Sequence, residues 1–103
     1  NGTTYARVFF VIGQKNKNWQ QNEAFAAKLQ EELEAILPGI SRGIWAKKTS
    51  EGNAEYNQSL SPNSILIEVG SVHNTLDEAY RTADVLAEAI ANLYWKMKEA
   101  DKV

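Results

Sequence analysis

The chain has 103 residues, no cysteine, a formal net charge of −2 and 44% apolar residues. Those values suit one small globular domain, able to bury roughly 60–65% of its unfolded surface. They exclude disulfides and cysteine-ligated zinc, and a pI near 5.4 argues against a nucleic-acid surface, which needs a concentrated basic patch.

No apolar run in these residues approaches the ~20 of a membrane span, and no stretch of them reads as a signal peptide. Asn1-Gly2-Thr3-Thr4 reads as a turn leading straight into a strand, which suggests a segment of something longer. Tyr5 to Gly13 is dense in β-branched and aromatic residues, and its near-continuous apolar character predicts a central strand covered on both sides. A polar loop, Gln14 to Asn18, supplies asparagines suited to turns and caps. The following helix carries Trp19, Asn22, Phe25, Ala26, Leu29, Leu33, Ile36 and Leu37 at three- and four-residue steps, one apolar stripe ended by Pro38-Gly39.

A second strand is expected within Ile40 to Lys48, with Ile44 and Ala46 on one face and Trp45 on the other. The lysines that end it fit an edge strand or a solvated face. Thr49 to Asn63 is irregular and reads as a surface linker or a structured loop. Ser64-Ile65-Leu66-Ile67-Glu68-Val69-Gly70 reads as a strand buried on both faces, interrupted near its end by the carboxylate of Glu68. Ligands in open α/β sheets bind at the carboxyl ends of strands, which is where Glu68 is expected.

Thr75-Leu76-Asp77-Glu78 is a capping-box pattern, with Asp77 and Glu78 also placed to favour the positive end of the helix dipole. Leu76, Ala79, Tyr80, Ala83, Leu86, Ala87, Ile90, Leu93, Tyr94 and Met97 follow as an apolar stripe of about six turns, expected to be core. The charged tail from Lys98 is expected to fray. The element order is β-α-β-β-α. Its first unit permits a parallel, right-handed crossover.

Several site types are absent from the sequence. It has no GxGxxG or GxxxxGK[ST] phosphate loop, and no serine on a nucleophile elbow. Its one histidine, His73, cannot supply a catalytic zinc site and reads as solvated. One well-placed carboxylate remains, without a complete active site around it.

The stretch from Tyr56 through Gly70 and on through Asn74-Thr75-Leu76-Asp77-Glu78-Ala79 resembles the stage II sporulation protein P family, peptidoglycan hydrolases of endospore-forming bacteria. The likeness continues in Phe10-Val11-Ile12-Gly13, Asn18 to Asn22, Pro38 to Ile44 and Tyr80 to Asp84, so it covers nearly the whole chain in order. More distantly, Leu66-Ile67-Glu68-Val69-Gly70 with Asn74 is similar to the last motif of zinc-dependent N-acetylmuramoyl-L-alanine amidases. His73 and Ser71 depart from the family's usual residues, and neither departure touches Glu68.

The resemblance implies a twisted mixed α/β sheet flanked by helices, with residues 1–103 forming the C-terminal part of one amidase-like catalytic domain. It implies that Glu68 is the catalytic acid/base, that zinc is the cofactor, and that the zinc ligands belong upstream of Asn1. Tyr56, Asn57, Gln58 and Asn74 are candidates for lining the groove or holding the loop around Glu68. The implied activity cleaves between muramic acid and the L-alanine of the stem peptide, with endopeptidase activity as a further expectation. The fragment alone is expected to be inactive.

Peptidoglycan and other engulfment proteins are the implied partners. The implied location is outside the cytoplasm, at the sporulation septum, through an upstream membrane anchor. The alternative reading is a non-catalytic module that binds cell wall or a protein partner. A third is a structural half-domain that dimerises through an exposed sheet edge.

Overall fold

The computed structural model describes residues 4–15, 17–47 and 64–101. Strand β1 spans Val8–Gly13, helix α1 Trp19–Ile36, strand β2 Ser41–Lys47, strand β3 Leu66–Val69 and helix α2 Leu76–Asp101. The fold is α/β with a three-stranded mixed sheet in the order β2-β1-β3. β1 pairs with β2 in parallel and with β3 antiparallel.

β1 is central, as its apolar run predicts, and four of its side chains are buried to 2% exposure or less: Val8, Phe10, Val11 and Ile12. Alternation along a strand sends successive side chains to opposite faces. Val8, Phe10 and Ile12 form a single cluster with Ala26, Leu29 and Leu33 of α1 and Val85, Ala89 and Leu93 of α2. Both helices therefore cover the same face of the sheet. The register carries this alternation outward: Ile44 and Ala46 of β2 and Ile67 and Val69 of β3 share the helix face, while Phe9, Trp45, Leu66 and Glu68 belong to the other.

α1 buries the stripe read from its periodicity, with Trp19, Phe25, Ile36 and Leu37 half-buried at its margins. Its first turn is less conventional. Asn18 stands at the N-cap without a side-chain capping bond, and its carbonyl accepts from the Asn22 N–H. The C-terminal turn is better tied. Both oxygens of Glu34 accept backbone N–H groups beyond the helix, from Gly39 at 2.9 Å and Ser41 at 2.8 Å. These bonds hold the Glu34 carboxyl below the usual carboxylate range and fix the turn that delivers β2.

α2 differs from expectation in its rotation. Leu93 of the expected core stripe is buried and Leu86 and Met97 pack against the core, but Leu76, Tyr80, Ile90 and Tyr94 are at least half exposed, and Thr82, Val85 and Ala89 are buried in their stead. Two stripes of α2 satisfy a helical period, and the contacts of Thr82 decide between them. Its hydroxyl donates to the Ala6 carbonyl and lies 3.2 Å from the Glu78 carbonyl, while Ala6 N donates back to that same Glu78 oxygen. Ala89, fully buried, allows close approach of helix to sheet where a tyrosine would not fit. The helix also continues through Asp101 instead of fraying from Lys98. No described helix is long and apolar enough to cross a membrane.

β3 corrects two further expectations. Its residues are half-buried or exposed rather than buried on both faces, because among the described residues it is the edge strand beside β1. Because it runs antiparallel, its carboxyl end lies beside the amino end of β1. Glu68 pairs with Phe9, well away from Gly13 and Lys47, where the parallel pair ends.

Candidate functional site

The second half of the candidate motif is built by hydrogen bonding around a tight turn. Gly70 has φ +75°, and a Cβ there would lie 2.8 Å from Asn74 Oδ1 and 3.1 Å from Ala6 Cβ, so only glycine fits without displacement. Gly70 N donates to the Arg7 carbonyl at 2.7 Å, and Ser71 N donates to Asn74 Oδ1 at 2.9 Å. Asn74 Nδ2 in turn donates to Glu78 Oε1 at 3.1 Å.

The capping box read from Thr75 and Glu78 is formed in both directions: Thr75 N to Glu78 Oε1 at 2.8 Å, and Glu78 N to Thr75 Oγ1 at 3.1 Å. The Thr75 backbone bond, followed by the Asn74 amide, depresses the Glu78 carboxyl below its ordinary range. Asn74 is thus engaged at both ends of its amide in holding this loop. His73 is exposed, with its backbone N–H on Ser71 Oγ.

Glu68 stands in a different condition. It is exposed on the sheet face opposite the helices and makes no hydrogen bond or ion pair with the described residues. Its cross-strand partner, Phe9, stacks against Trp45 with ring centroids 6.2 Å apart and an interplanar angle of 26°. The Arg42 guanidinium lies 5.6 Å from the centre of the Phe9 ring. An aromatic pair, a guanidinium and a carboxylate unpaired with the described residues therefore share one face. Tyr56, Asn57 and Gln58 lie outside the described residues.

Sequence reasoning missed the basic part of this face. A depression of about 290 Å³ is lined by Tyr5, Arg7, Arg42, Gly70, Ser71 and Asn74. Arg7 is held in it by the Gly39 carbonyl at 3.2 Å and the Ser41 carbonyl at 3.4 Å. Arg42 reaches it because β2 is irregular. Val8 pairs with Ser41 but Phe10 with Ile44, so Arg42 and Gly43 together oppose Phe9. Gly43 has φ +117° at this bulge. A glycine inside a strand pattern was the available signal.

Among the described residues, no three His, Cys, Asp or Glu side chains gather where a metal ion could be held. An ion pair of Lys96 with Glu32 at 2.6 Å lies instead between the two helices. Glu32 keeps the Lys96 ammonium charged to higher pH than usual.

A sequence model of the stage II sporulation protein P family matches residues 1–91. Stage II sporulation protein P of Bacillus subtilis (strain 168) is 39% identical over 102 residues, which is 99% of this chain and 25% of that relative. The chain thus spans about a quarter of the length of the curated relative it matches. No solved structure matches it significantly. With the match running from the opening strand through most of α2, the chain belongs to the stage II sporulation protein P family.

Proposed function

We propose that this chain supplies the acid/base carboxylate of a sporulation peptidoglycan hydrolase, an N-acetylmuramoyl-L-alanine amidase, and that Glu68 is that carboxylate. The observation that carries the reading is the state of Glu68 itself, exposed and unpaired with the described residues on an aromatic-lined sheet face. Three other carboxylates are committed to structure, Glu34 and Glu78 to backbone N–H groups and Glu32 to Lys96.

A carboxylate in this position has the chemistry the reaction needs. It takes a proton from water as the water oxygen bonds to the lactyl amide carbon. It then gives a proton to the L-alanine nitrogen as the carbon–nitrogen bond breaks, leaving a lactyl carboxyl and a free amine. Phe9 and Trp45 offer apolar rings against which sugar or peptide can pack.

The described residues do not fit a zinc site, so zinc in this reading is held by residues outside that set. Peptidoglycan outside the cytoplasmic membrane is the substrate, reached during sporulation.

The test is product analysis after incubating purified sacculi with the full-length protein. Mass spectrometry should find stem peptides with new L-alanine amino termini and glycan strands bearing free lactyl groups. Sacculi that bind the protein and stay uncut would replace the hydrolase with a wall-binding module.

A further inference from the structure

The two guanidinium groups that line the depression have no role in the acid/base step. Arg7 is anchored through Nε and Nη2 to two backbone carbonyls, its charge is felt by the Glu34 carboxyl, and it lines the depression. Arg42 makes no hydrogen bond or ion pair with the described residues and rests on the Phe9 ring.

An arginine on an edge strand would ordinarily be a solvated charge. Here the backbone is bent to place it. Bulges are rare between parallel strands, and they re-aim side chains. This one is braced from α1: Gly43 N donates to Ser41 Oγ at 3.0 Å, that hydroxyl donates to Gln30 Oε1, and Ser41 N is held by Glu34. None of the six residues lining the depression is acidic, and the Asn74 amide and Ser71 add polar groups to its wall. Two guanidiniums with no lining carboxylate, in a space of about 290 Å³, suit a planar anion received by a fork of N–H groups.

We infer that the depression between Arg7 and Arg42 is a subsite for a carboxylate of the stem peptide. This identification of the ligand rests on the hydrolase reading above. Gly70 lines the depression and stands two residues from Glu68, about 7 Å along an extended chain. A peptide carboxylate seated there therefore lies within a residue or two of the bond that Glu68 attends. The subsite positions the peptide, and Arg42 acts through binding rather than through proton transfer.

The experiment titrates full-length protein by calorimetry at low salt with a synthetic stem peptide beginning in L-alanine. One form has free carboxylates and the other has them converted to primary amides. The free-acid peptide should bind about tenfold tighter, as a charge-assisted bidentate pair requires. Arg42→Gln should abolish that preference, Arg42→Lys should keep part of it, and added salt should weaken it.

Equal affinity for the two peptides, or a preference that survives Arg42→Gln, overturns the subsite. Because binding is read without turnover, the two proposals fail separately. Arginine-dependent binding by a protein that cuts no wall would sink the hydrolase and keep the subsite. Cutting that is indifferent to Arg42 and to amidation would do the reverse.

Discussion

Phe9 and Phe10 are neighbours in β1 and serve opposite faces of one sheet. Phe10 is fully buried in the cluster shared by α1 and α2, and the polar groups around that core are tied into the backbone by Glu34, Glu78 and Thr82. Phe9 is half-buried under Arg42 and beside Trp45, across from Glu68. The helix face uses its carboxylates as hydrogen-bond acceptors that hold turns in place. The opposite face keeps one carboxylate and one guanidinium without such duties among the described residues. Identical residue types carry different work because their surroundings have, or have not, already occupied them.

The largest test of that division is Phe10→Ala against Phe9→Ala. Removing the buried ring should cost about 3–5 kcal/mol in urea unfolding, a large share of a small domain's stability. Removing the half-buried ring should cost about 1 kcal/mol and instead weaken peptide binding through loss of the Arg42 support. Equal stability losses would mean that the two faces are not distinct.

Gly70→Ala comes next. It combines a left-handed backbone with a contact of 2.8 Å to Asn74, and should destabilise by about 2–3 kcal/mol in the same assay. A neutral result would show that the turn between Glu68 and α2 can relax.

The structural carboxylates also predict a pH response. Glu34 and Glu78 have folded-state pKa values below their unfolded ones, so their contribution is present above the unfolded carboxylate pKa. It is lost as pH falls through the depressed folded values, because the unfolded chain takes up protons first. Thermal melts from pH 7 down to 3 should therefore fall more steeply for wild type than for Glu34→Gln/Glu78→Gln. The double variant should be the less stable of the two at pH 7. Parallel melting curves would contradict the assignment.

Much of the fold can be read from residues alone. The apolar run of β1, the stripe of α1 and the Thr75–Glu78 capping box all appear where local pattern places them, since each depends on spacing within one element. The rotation of α2 was not legible. Leu76, Tyr80, Ile90 and Tyr94 keep a helical period with Leu93 as well as Thr82, Val85 and Ala89 do, and hydrophobicity favours the residues that stay exposed. A threonine that bonds Ala6 and an alanine that allows close packing select the face, and both are tertiary facts. The direction of β3 was hidden for the same reason, because a run such as Leu66-Ile67 carries no sign of which way it pairs. Glu68 was legible as a carboxylate at a strand end. Its cross-strand partner Phe9, and Arg42 over that ring, were not, since register and a bulge place them.

The smallest expected change in stability accompanies the most direct functional test. Glu68→Gln in the full-length protein removes no hydrogen bond to the described residues, so its unfolding midpoint should stay within about 0.5 kcal/mol of wild type. Release of stem peptides from sacculi should fall by about 10²–10⁴-fold, the range for loss of a general acid/base. Turnover within a few-fold of wild type would remove Glu68 from the chemistry, and a large loss of stability would return it to the structural carboxylates.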